Sequence, residues 1–405
     1  MGSKRFSLFS VYFTFFIDSL GWSIIFPIFA PYFLDPTNPL FSPDTPLSTR
    51  TSLLGVFLMA FSLGQFLAAP LIGEYADRYG RRKALIGTVF FTCVGMIITA
   101  LSMRWYSLFF LFVGRLITGV FASNLSICLA TISDLSESEE IRVRRFGFIS
   151  VLTGFSFVLG AFLGGKLSDS KVYEGLSADL PFWVAAFLSL LNLIFLSLGF
   201  KETSKTHPSV RFDFFESFRN IKEALQTKTI KRTYAIYFLF LFSWTIIFQF
   251  TPVLVIHRYG FSNSQIGNLA VFMGICWAIG SSLLNRFLSK FYSSKAILDI
   301  SLFLFTAFSA AIAFGSHLPM TLTILGGTVL AASLAWPHCT NVISSKAPEA
   351  MQGKILGISQ SVQSLAMTLA PLIGGITYQL VAGSVFIFGA VLSLIAALIY
   401  TLKTR

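Results

Sequence analysis

Charged residues are scarce in this chain. Only 12% of its 405 residues are Asp, Glu, Lys or Arg, whereas 55% are hydrophobic and 46 are Phe. An ordinary soluble domain carries about 25% charged residues, so this composition excludes the soluble globular class. Burying this much apolar surface needs a solvent other than water, and a lipid bilayer is the solvent that proteins of this composition use.

Cysteine and histidine are also rare, with four of each. No HExxH motif or His cluster occurs, which argues against a membrane metalloenzyme. The sequence therefore predicts no metal site, no cofactor and no enzymatic activity. The cysteines lie apart inside apolar runs, without CxxC spacing, and are typical of small buried hydrophobic residues. They are Cys93, Cys128, Cys276 and Cys339.

Long apolar runs recur along the whole chain. Runs of 18 or more residues are the sequence pattern of transmembrane helices, so we predict an all-α membrane protein. We count twelve spans, at about 6–33, 52–72, 84–103, 106–133, 146–168, 180–200, 233–256, 267–288, 296–316, 320–344, 353–380 and 383–402.

Positive charge is distributed unequally between the loops that join these spans. With 30 Lys and Arg against 18 Asp and Glu, a soluble protein would suggest a nucleic-acid partner. Here 24 of the 30 lie in loops that alternate on one side of the membrane, and only five lie on the other side. This is a strong positive-inside signal. We predict cytoplasmic N- and C-termini, an even number of spans and no nucleic-acid partner.

The longest polar stretch, residues 201–232, divides the chain into two sets of six spans. We predict a first six-helix bundle at 1–200, a cytoplasmic linker at 201–232 and a second six-helix bundle at 233–405. Within the linker, FFESFRNIKEAL has the pattern of a short amphipathic helix at the membrane surface, so membrane lipid is an expected partner.

The two halves also resemble each other. GAFLGG at 160–165 corresponds to APLIGG at 370–375, at a spacing of 210 residues. Internal repeats of this kind are typical of secondary transporters, whose substrate site lies near the middle of the membrane between the repeats. The two bundles are therefore expected to be pseudo-symmetric.

One loop concentrates the charge that the rest of the chain lacks. Residues 73–83 read GEYADRYGRRK, and six of these eleven residues are charged. A positive-inside loop explains the basic residues but not the acids and glycines at these spacings. Gly73 and Gly80 permit a close backbone approach or a positive φ angle. Asp77 is placed to accept hydrogen bonds from the first amides of the following helix.

This stretch resembles the signature of the loop between helices 2 and 3 in the major facilitator superfamily, with the pattern G-x-x-x-D-R-x-G-R-R-K. The resemblance implies a twelve-helix, two-bundle fold in which this loop clamps the two halves in one conformation. It also implies that an Arg pairs with an acid at the end of helix 4, a position held here by Asp134. The residues of the expected clamp are Gly73, Asp77, Arg78, Gly80, Arg81, Arg82 and Asp134. The second-half counterpart, 285–295, has Ser289 in place of the Asp, so we expect a one-sided clamp.

Three further stretches are similar to motifs of that superfamily. LFVGRLITGVFAS at 111–123 resembles the helix 4 motif, with Arg115. FIDSLGWSIIFPIFAP at 16–31 resembles the helix 1 motif of the twelve-span drug:proton antiporters, with Asp18. Residues 147–165 resemble the helix 5 motif of antiporters, although Ala161 replaces its Pro and Ser156 replaces a Gly. The matching glycines are Gly147, Gly160, Gly164 and Gly165.

Asp18 is the only acid that lies deep within a predicted span, and Arg115 is the only such base. An ionisable group inside a membrane costs about 2.5–3.5 kcal/mol on insertion scales, so it usually carries function or pairs with another group. Asp18 and Arg115 are therefore candidates for proton coupling, and Asp299 or His338 is an alternative proton carrier. A packing hydrogen bond by Asp18 and a structural lock by Arg115 remain alternatives.

Softer polar and aromatic residues within the spans are candidates for lining a substrate cavity, although for each one alone interhelical hydrogen bonding, or an interfacial position for a Trp, is the better explanation. These residues are Gln65, Asn124, Gln249, Trp336, His338, Asn341, Gln360 and Gln363.

Together, the residues and the resemblance predict a proton-coupled secondary transporter that exports a drug-like or other organic compound by alternating access. The expected partners are that compound, protons and lipid, and a monomer in the bacterial inner membrane is expected. The alternatives are a proton symporter that imports a metabolite or siderophore, and a sensor that does not transport.

Overall fold

The computed structural model describes residues 2–122, 124–203, 213, 215–226, 231–344, 352–378 and 383–404. Every regular element within these ranges is a helix, which confirms the predicted all-α class. Residues 204–212, 214 and 227–230 of the predicted linker lie outside the described residues.

The first half contains eight helices. They are α1 (Gly2–Ser23), α2 (Phe29–Leu34), α3 (Leu47–Tyr79), α4 (Arg81–Arg104), α5 (Leu108–Phe121), α6 (Leu125–Leu135), α7 (Glu139–Leu167) and α8 (Leu180–Gly199). The linker helix is α9 (Glu216–Gln226). The second half contains α10 (Lys231–Tyr259), α11 (Asn263–Ala278), a π-helix (Ile279–Leu284), α12 (Asn285–Leu288), α13 (Ser294–Ile312), α14 (Leu318–Ser344), α15 (Gln352–Thr377) and α16 (Ser384–Thr404).

Ten helical segments in the described ranges have the length and apolar composition that crossing a membrane requires. They correspond to predicted spans 2–10 and 12. Predicted span 1 corresponds to α1 followed by α2, and predicted span 11 corresponds to α15. Each of the twelve predicted spans is therefore occupied by helix.

Predicted span 1 is not one continuous helix. The α-helix ends at Ser23, residues 24–28 form a series of turns, and a second helix begins at Phe29. Pro27 explains the break, because a proline has no N–H to donate and disfavours helical backbone at the residue before it. The N–H groups of Phe26 and Ile28 donate instead to the carbonyls of Ser23 and Ile25, in tighter turns.

The helices form two compact units. The first unit comprises residues 1–43, 60–216 and 262–270, and the second comprises 44–59, 217–261 and 271–405. The first unit thus includes the start of α11, and the second includes the first part of α3. The division into bundles at 1–200 and 233–405 stays a prediction.

In the first unit, an apolar core lies directly beneath the loop between α3 and α4. Ala76 and Ala84, each four residues from Gly80, are fully or almost fully buried. They pack in one cluster with residues of α1, α6, α7 and α8, among them Val11, Ile132 and Leu196. These contacts hold the end of α3 and the start of α4 against the ends of the neighbouring helices.

In the second unit, α10 is the most deeply buried helix, with 83% of its membrane-spanning window buried. Aromatic side chains account for much of its packing. Phe240 contacts the ring of Phe305 on α13, and Phe250 stacks on Tyr378 after α15, with ring centroids 5.6 and 6.1 Å apart. Part of the unusual Phe content of the chain is therefore used in helix packing.

Candidate functional site

The loop between α3 and α4 is a one-residue connection. Helix α3 ends at Tyr79, helix α4 begins at Arg81, and Gly80 lies between them with φ = 101°. Only glycine adopts this region without a steric penalty. A second constraint acts at the same position, because a Cβ atom on Gly80 would collide with the carboxylate of Glu202. The predicted positive φ at this glycine is present.

Arg81 lies between two acids. Its Nη1 is 2.6 Å from Oδ1 of Asp77, one helical turn earlier, and its Nε is 3.7 Å from Oδ2 of Asp134 at the end of α6. The Arg81 side chain is only 12% exposed, but Asp77 and Asp134 are 46% and 31% exposed, so water still reaches the acid in both pairs. The structure therefore brings together three of the residues that the resemblance assigned to a clamp.

Glu202, which sequence reasoning missed, accepts the first amides of α4. Its Oε1 is 2.9 Å from the backbone nitrogen of Arg81, and its Oε2 is 3.0 Å from that of Arg82. The expectation from the sequence was that Asp77 would accept these bonds, but Asp77 instead pairs with the Arg81 side chain. The signal that was available is the position of Glu202, as the first acid after predicted span 6.

The other predicted clamp residues have different surroundings. The guanidinium of Arg82 donates to the carbonyl of Ser197 at the end of α8, at 2.7 Å. Arg78 lies over the ring of Tyr79, at 5.4 Å from its centroid. A Cβ atom on Gly73 would meet no neighbouring atom within 4 Å, and its φ is not positive. Gly73 is therefore not required by packing or by backbone conformation in this structure.

Asp18 lies in the C-terminal part of α1, near the middle of predicted span 1, and its carboxylate is bound by an amide. Nδ2 of Asn124 donates to Oδ2 of Asp18 at 2.6 Å. Asn124 directly precedes α6 and is completely buried, and no hydrogen-bond partner for its Oδ1 is present among the described residues. The structure thus joins a predicted proton carrier to a residue predicted to line the cavity. A carboxylate with one neutral donor and no paired cation can gain or lose a proton without breaking an ion pair.

Arg115 lies in α5 and is 2% exposed. Its guanidinium lies over the rings of Phe61 and Phe29, at 4.7 and 5.7 Å from their centroids. Among the described residues, neither its Nε nor its Nη1 has a hydrogen-bond partner, and no ion pair with an acid is found. Cation–π contacts stabilise this buried guanidinium in part. Arg115 is thus surrounded by aromatic rings, whereas Asp18 is bound by the amide of Asn124.

Two of the four predicted helix 5 glycines let α7 lie directly against α1. A Cβ atom on Gly160 would lie 2.8 Å from the carbonyl oxygen of Leu20, and one on Gly164 would lie 2.5 Å from that of Ile24. These contacts are only a few residues from Asp18. Gly165 approaches the start of α11 in the same way, but Gly147 has open space around it.

The second unit contains an aromatic cluster. The ring centroids of Trp244 and Trp277 are 5.2 Å apart, and those of Trp277 and Trp336 are 5.9 Å apart. The chain continues from α11 into a π-helix, after which the side chain of Asn285 lies 2.9 Å from Nε2 of His338. Single turns of π-helix often mark functional sites, and Asn285 was not among the predicted residues.

The remaining cavity candidates are mostly engaged in contacts between helices. Gln65 donates to the carbonyl of Ala122, Asn341 donates to Ser294, and Gln363 accepts from Tyr237, at 3.4, 3.0 and 3.3 Å. Gln360 is exposed, and Oε1 of Gln249 is buried without a partner among the described residues. The packing alternative therefore accounts for three of these five side chains.

A second polar cluster, also missed from the sequence, lies where α7 ends. Asp169 accepts a hydrogen bond from the backbone N–H of Ser264 at 3.0 Å, and Lys166 donates to the hydroxyl of Ser264 at 2.7 Å. Partial burial opposes ionisation of Asp169, but hydrogen bonds from Ser262, Ser264 and Lys171 and the charge of Lys171 hold its pKa below its usual range. Asp169 therefore stays a carboxylate and caps the start of α11.

Comparison with known proteins identifies the family to which this chain is similar. A family model described as Major Facilitator Superfamily matches residues 11–325 and 233–405. The tetracycline resistance protein of class H from Pasteurella multocida is 24% identical over 388 residues, covering 95% of this chain and 92% of that protein. The class G protein from Vibrio anguillarum is 26% identical over 392 residues, covering 94% and 93%.

Solved structures show the same fold. The human organic anion transporter MFSD10 (TETRAN) has a TM-score of 0.70 and 21% identity, covering 98% of this chain and 99% of that one. A bacterial homolog to the human lysosomal transporter Spinster, inward-facing and occupied, has a TM-score of 0.77 at 14% identity, covering 100% and 97%. Identities this low speak for the fold alone.

Proposed function

The chain belongs to the major facilitator superfamily, and from that premise we propose that it exports a small organic compound in exchange for protons. It is a secondary transporter with several membrane spans and a small-molecule substrate, and it is not an enzyme. The relatives named for tetracycline resistance favour a drug-like substrate and make tetracycline the first compound to test.

The main support for the proposed proton coupling is the hydrogen bond between Asp18 and Asn124. Asp18 is a carboxylate in the middle of a span, bound by a neutral amide rather than by a cation. A carboxylate in this environment gains a proton on one side of the membrane and loses it on the other as its exposure changes. In this mechanism Asp18 takes up a proton from outside as the substrate leaves, and releases it inside.

We further propose that the loop between α3 and α4 stabilises one of the two conformations of the alternating-access cycle. Arg81 would join helix α3, through Asp77, to the end of helix α6, through Asp134, and so resist the movement of these ends. The predicted topology completes the proposal, with both termini in the cytoplasm of a bacterial cell and the protein acting as a monomer in the inner membrane.

The Asp18→Asn variant tests the coupling. An amide has nearly the size of a carboxyl group but cannot titrate, so packing is retained while the proton site is lost. We expect tetracycline-dependent pH change in proteoliposomes to be abolished. The exposed loop residue Asp44 provides the matched control, and Asp44→Asn should keep the wild-type proton flux. Wild-type flux in Asp18→Asn would remove Asp18 from the mechanism and leave Asp299 and His338 as candidates.

Vesicles of opposite orientation test the direction. If the protein is an exporter, inverted vesicles with an acidic interior should accumulate tetracycline, and addition of the compound should raise the internal pH. Proton and substrate moving in the same direction would instead favour a symporter that imports its substrate. Absence of substrate movement across a panel of drug-like compounds, with the protein correctly inserted, would favour the sensor.

A further inference from the structure

The first residues of the central linker lie against the loop between α3 and α4. Glu202 accepts hydrogen bonds from two backbone N–H groups of α4. In addition, the hydroxyl of Thr203 lies 3.5 Å from Oδ2 of Asp134. The backbone N–H of Lys201 donates to the hydroxyl of Ser7 on α1, at 3.2 Å. Residues 201–203 are thus held by three elements of the first unit: α1, the start of α4 and the end of α6.

Helix α4 depends on Glu202 for its N-terminal cap. The N-cap position is Gly80, which has no side chain that can accept a hydrogen bond. The first amides of a helix need acceptors from outside the helix, and a carboxylate there also interacts favourably with the helix dipole. Glu202 meets both needs, with one oxygen for Arg81 and one for Arg82. This contact also gives a second reason for glycine at position 80, because a Cβ atom would occupy the space of the carboxylate.

We propose that Glu202 is a positioning residue, which fastens the linker to the start of α4 and thereby orients Arg81 for its pairs with Asp77 and Asp134. Arg81 is held from two directions, through its backbone and through its side chain, and this fixes its orientation. Its N–H is bound to Glu202, while its guanidinium reaches the two acids. Loss of Glu202 would free the first turn of α4 and lengthen the 3.7 Å approach to Asp134, which is already the looser of the two pairs.

The arrangement requires a carboxylate rather than any polar group. A glutamine at this position has one acceptor oxygen, so its amide group would place an N–H against the second backbone N–H. Glu202→Gln therefore keeps the size of the side chain, removes one hydrogen bond and introduces a repulsive contact. Loss of an N-terminal cap typically changes a local opening equilibrium roughly fivefold.

The test measures amide hydrogen exchange at Arg81 and Arg82 in the full-length protein in detergent. We expect exchange in Glu202→Gln to be roughly fivefold faster at these two amides. Glu140→Gln, the same change at an exposed acid in the first turn of α7, should leave both rates unchanged. Unchanged exchange rates at Arg81 and Arg82 in Glu202→Gln would overturn the proposal. This test does not depend on a transport assay.

A double-mutant cycle with Asp134→Asn tests whether Glu202 acts through Arg81. This part rests on the proposed function, so the maximal rate and the KM of tetracycline transport are measured for the two single variants and the double variant. We expect each single change to lower the maximal rate with little change in KM, and the double change to cost little more than either one. Additive losses, or faster amide exchange without any loss of rate, would overturn the positioning role. If the wild-type protein moves neither tetracycline nor any compound of the drug-like panel, the proposed function fails, and the same cycle is then measured on the exchange rates, which need no substrate.

Discussion

The two halves of the chain carry corresponding loops whose structures differ. In the first half, Gly80 is a one-residue connection between long helices, with an ion pair on one side and the Glu202 cap on the other. In the second half, residues 285–295 form the four-residue helix α12, a turn and the start of α13. Ser293 caps α13 through its own hydroxyl, which accepts from the N–H of Ala296.

The comparison shows that acids, rather than bases, distinguish the two loops. Arg286, Lys290 and Lys295 are exposed, and within the described residues no ion pair involves 285–295. Ser289 occupies the position of the expected acid and makes only a 3.3 Å hydrogen bond to Asn285. Both loops have the basic residues that membrane topology requires, but only the first also has the acids that hold an arginine in place.

The largest expected effect concerns the side of the membrane on which these two loops lie. The four native cysteines are replaced, and single cysteines are introduced for Lys83 and Lys290, which are exposed, and for Ser42 as the external reference. An impermeant maleimide should label only Ser42→Cys in intact cells, and the other two only after permeabilisation. Labelling of either loop from outside would end the comparison, because the loops would not be counterparts in the predicted topology.

Neutralising a charge should matter in one loop and not in the other. We expect Asp77→Asn to lower the rate of substrate transport about tenfold, because Arg81 loses its closest partner. Lys290→Gln, at the corresponding part of the second loop, should stay within about twofold of wild type. Amounts of inserted protein are compared by fluorescence size-exclusion chromatography. Equal rates for both variants would mean that the first loop only directs topology.

The two glycines of the charged segment 73–83 should respond in opposite directions. Gly80→Ala should lower the melting temperature of the purified protein, since the backbone conformation at φ = 101° and ψ = 150° costs a non-glycine residue about 1–3 kcal/mol and Glu202 would be displaced. Gly73→Ala should raise it slightly, because an alanine inside a helix with free space stabilises by about 0.5–1 kcal/mol. Equal shifts would contradict the assignment of Gly80 as the residue on which the turn depends.

The smallest effect concerns the later part of the linker, around Asp213 and Glu216, which contacts the C-terminal part of α3. The backbone N–H of Asp213 donates to Oε2 of Glu74 at 2.9 Å, and partial burial and the charge of Glu74 raise the pKa of Glu216. The docked linker therefore favours the protonated acid, and its attachment should be strongest at low pH and weaken as pH rises through the raised pKa.

A spin label at the exposed Phe215 reports this attachment without a titrating reporter group. Its mobility should rise modestly in the wild-type protein as the pH is raised from acidic values through the raised pKa of Glu216. Glu216→Gln should abolish that dependence and keep the label restrained. A pH dependence that persists in this variant would show that another group controls the linker.

Hydropathy and charge in the sequence alone were sufficient to predict the helical class, the twelve helical spans and the positions of the two loops. These properties are local, because about twenty apolar residues span a bilayer wherever they occur in a chain. The prediction was less accurate where one residue changes the local geometry. Pro27 divided the first span, and Gly73 matched the motif although this structure places no demand on it.

The tertiary structure decided which groups meet. Asn124 binds Asp18 across 106 positions of sequence, and Glu202 caps the N–H of Arg81 across 121 positions. Spacing in the sequence contains no record of such pairs, because they depend on the rotation and the packing of helices about one another. The sequence by itself determined where the chain crosses the membrane and where its rare charges lie. Only the packed helices determined that the one acid deep in the first span has an amide partner and that the linker contacts the charged loop.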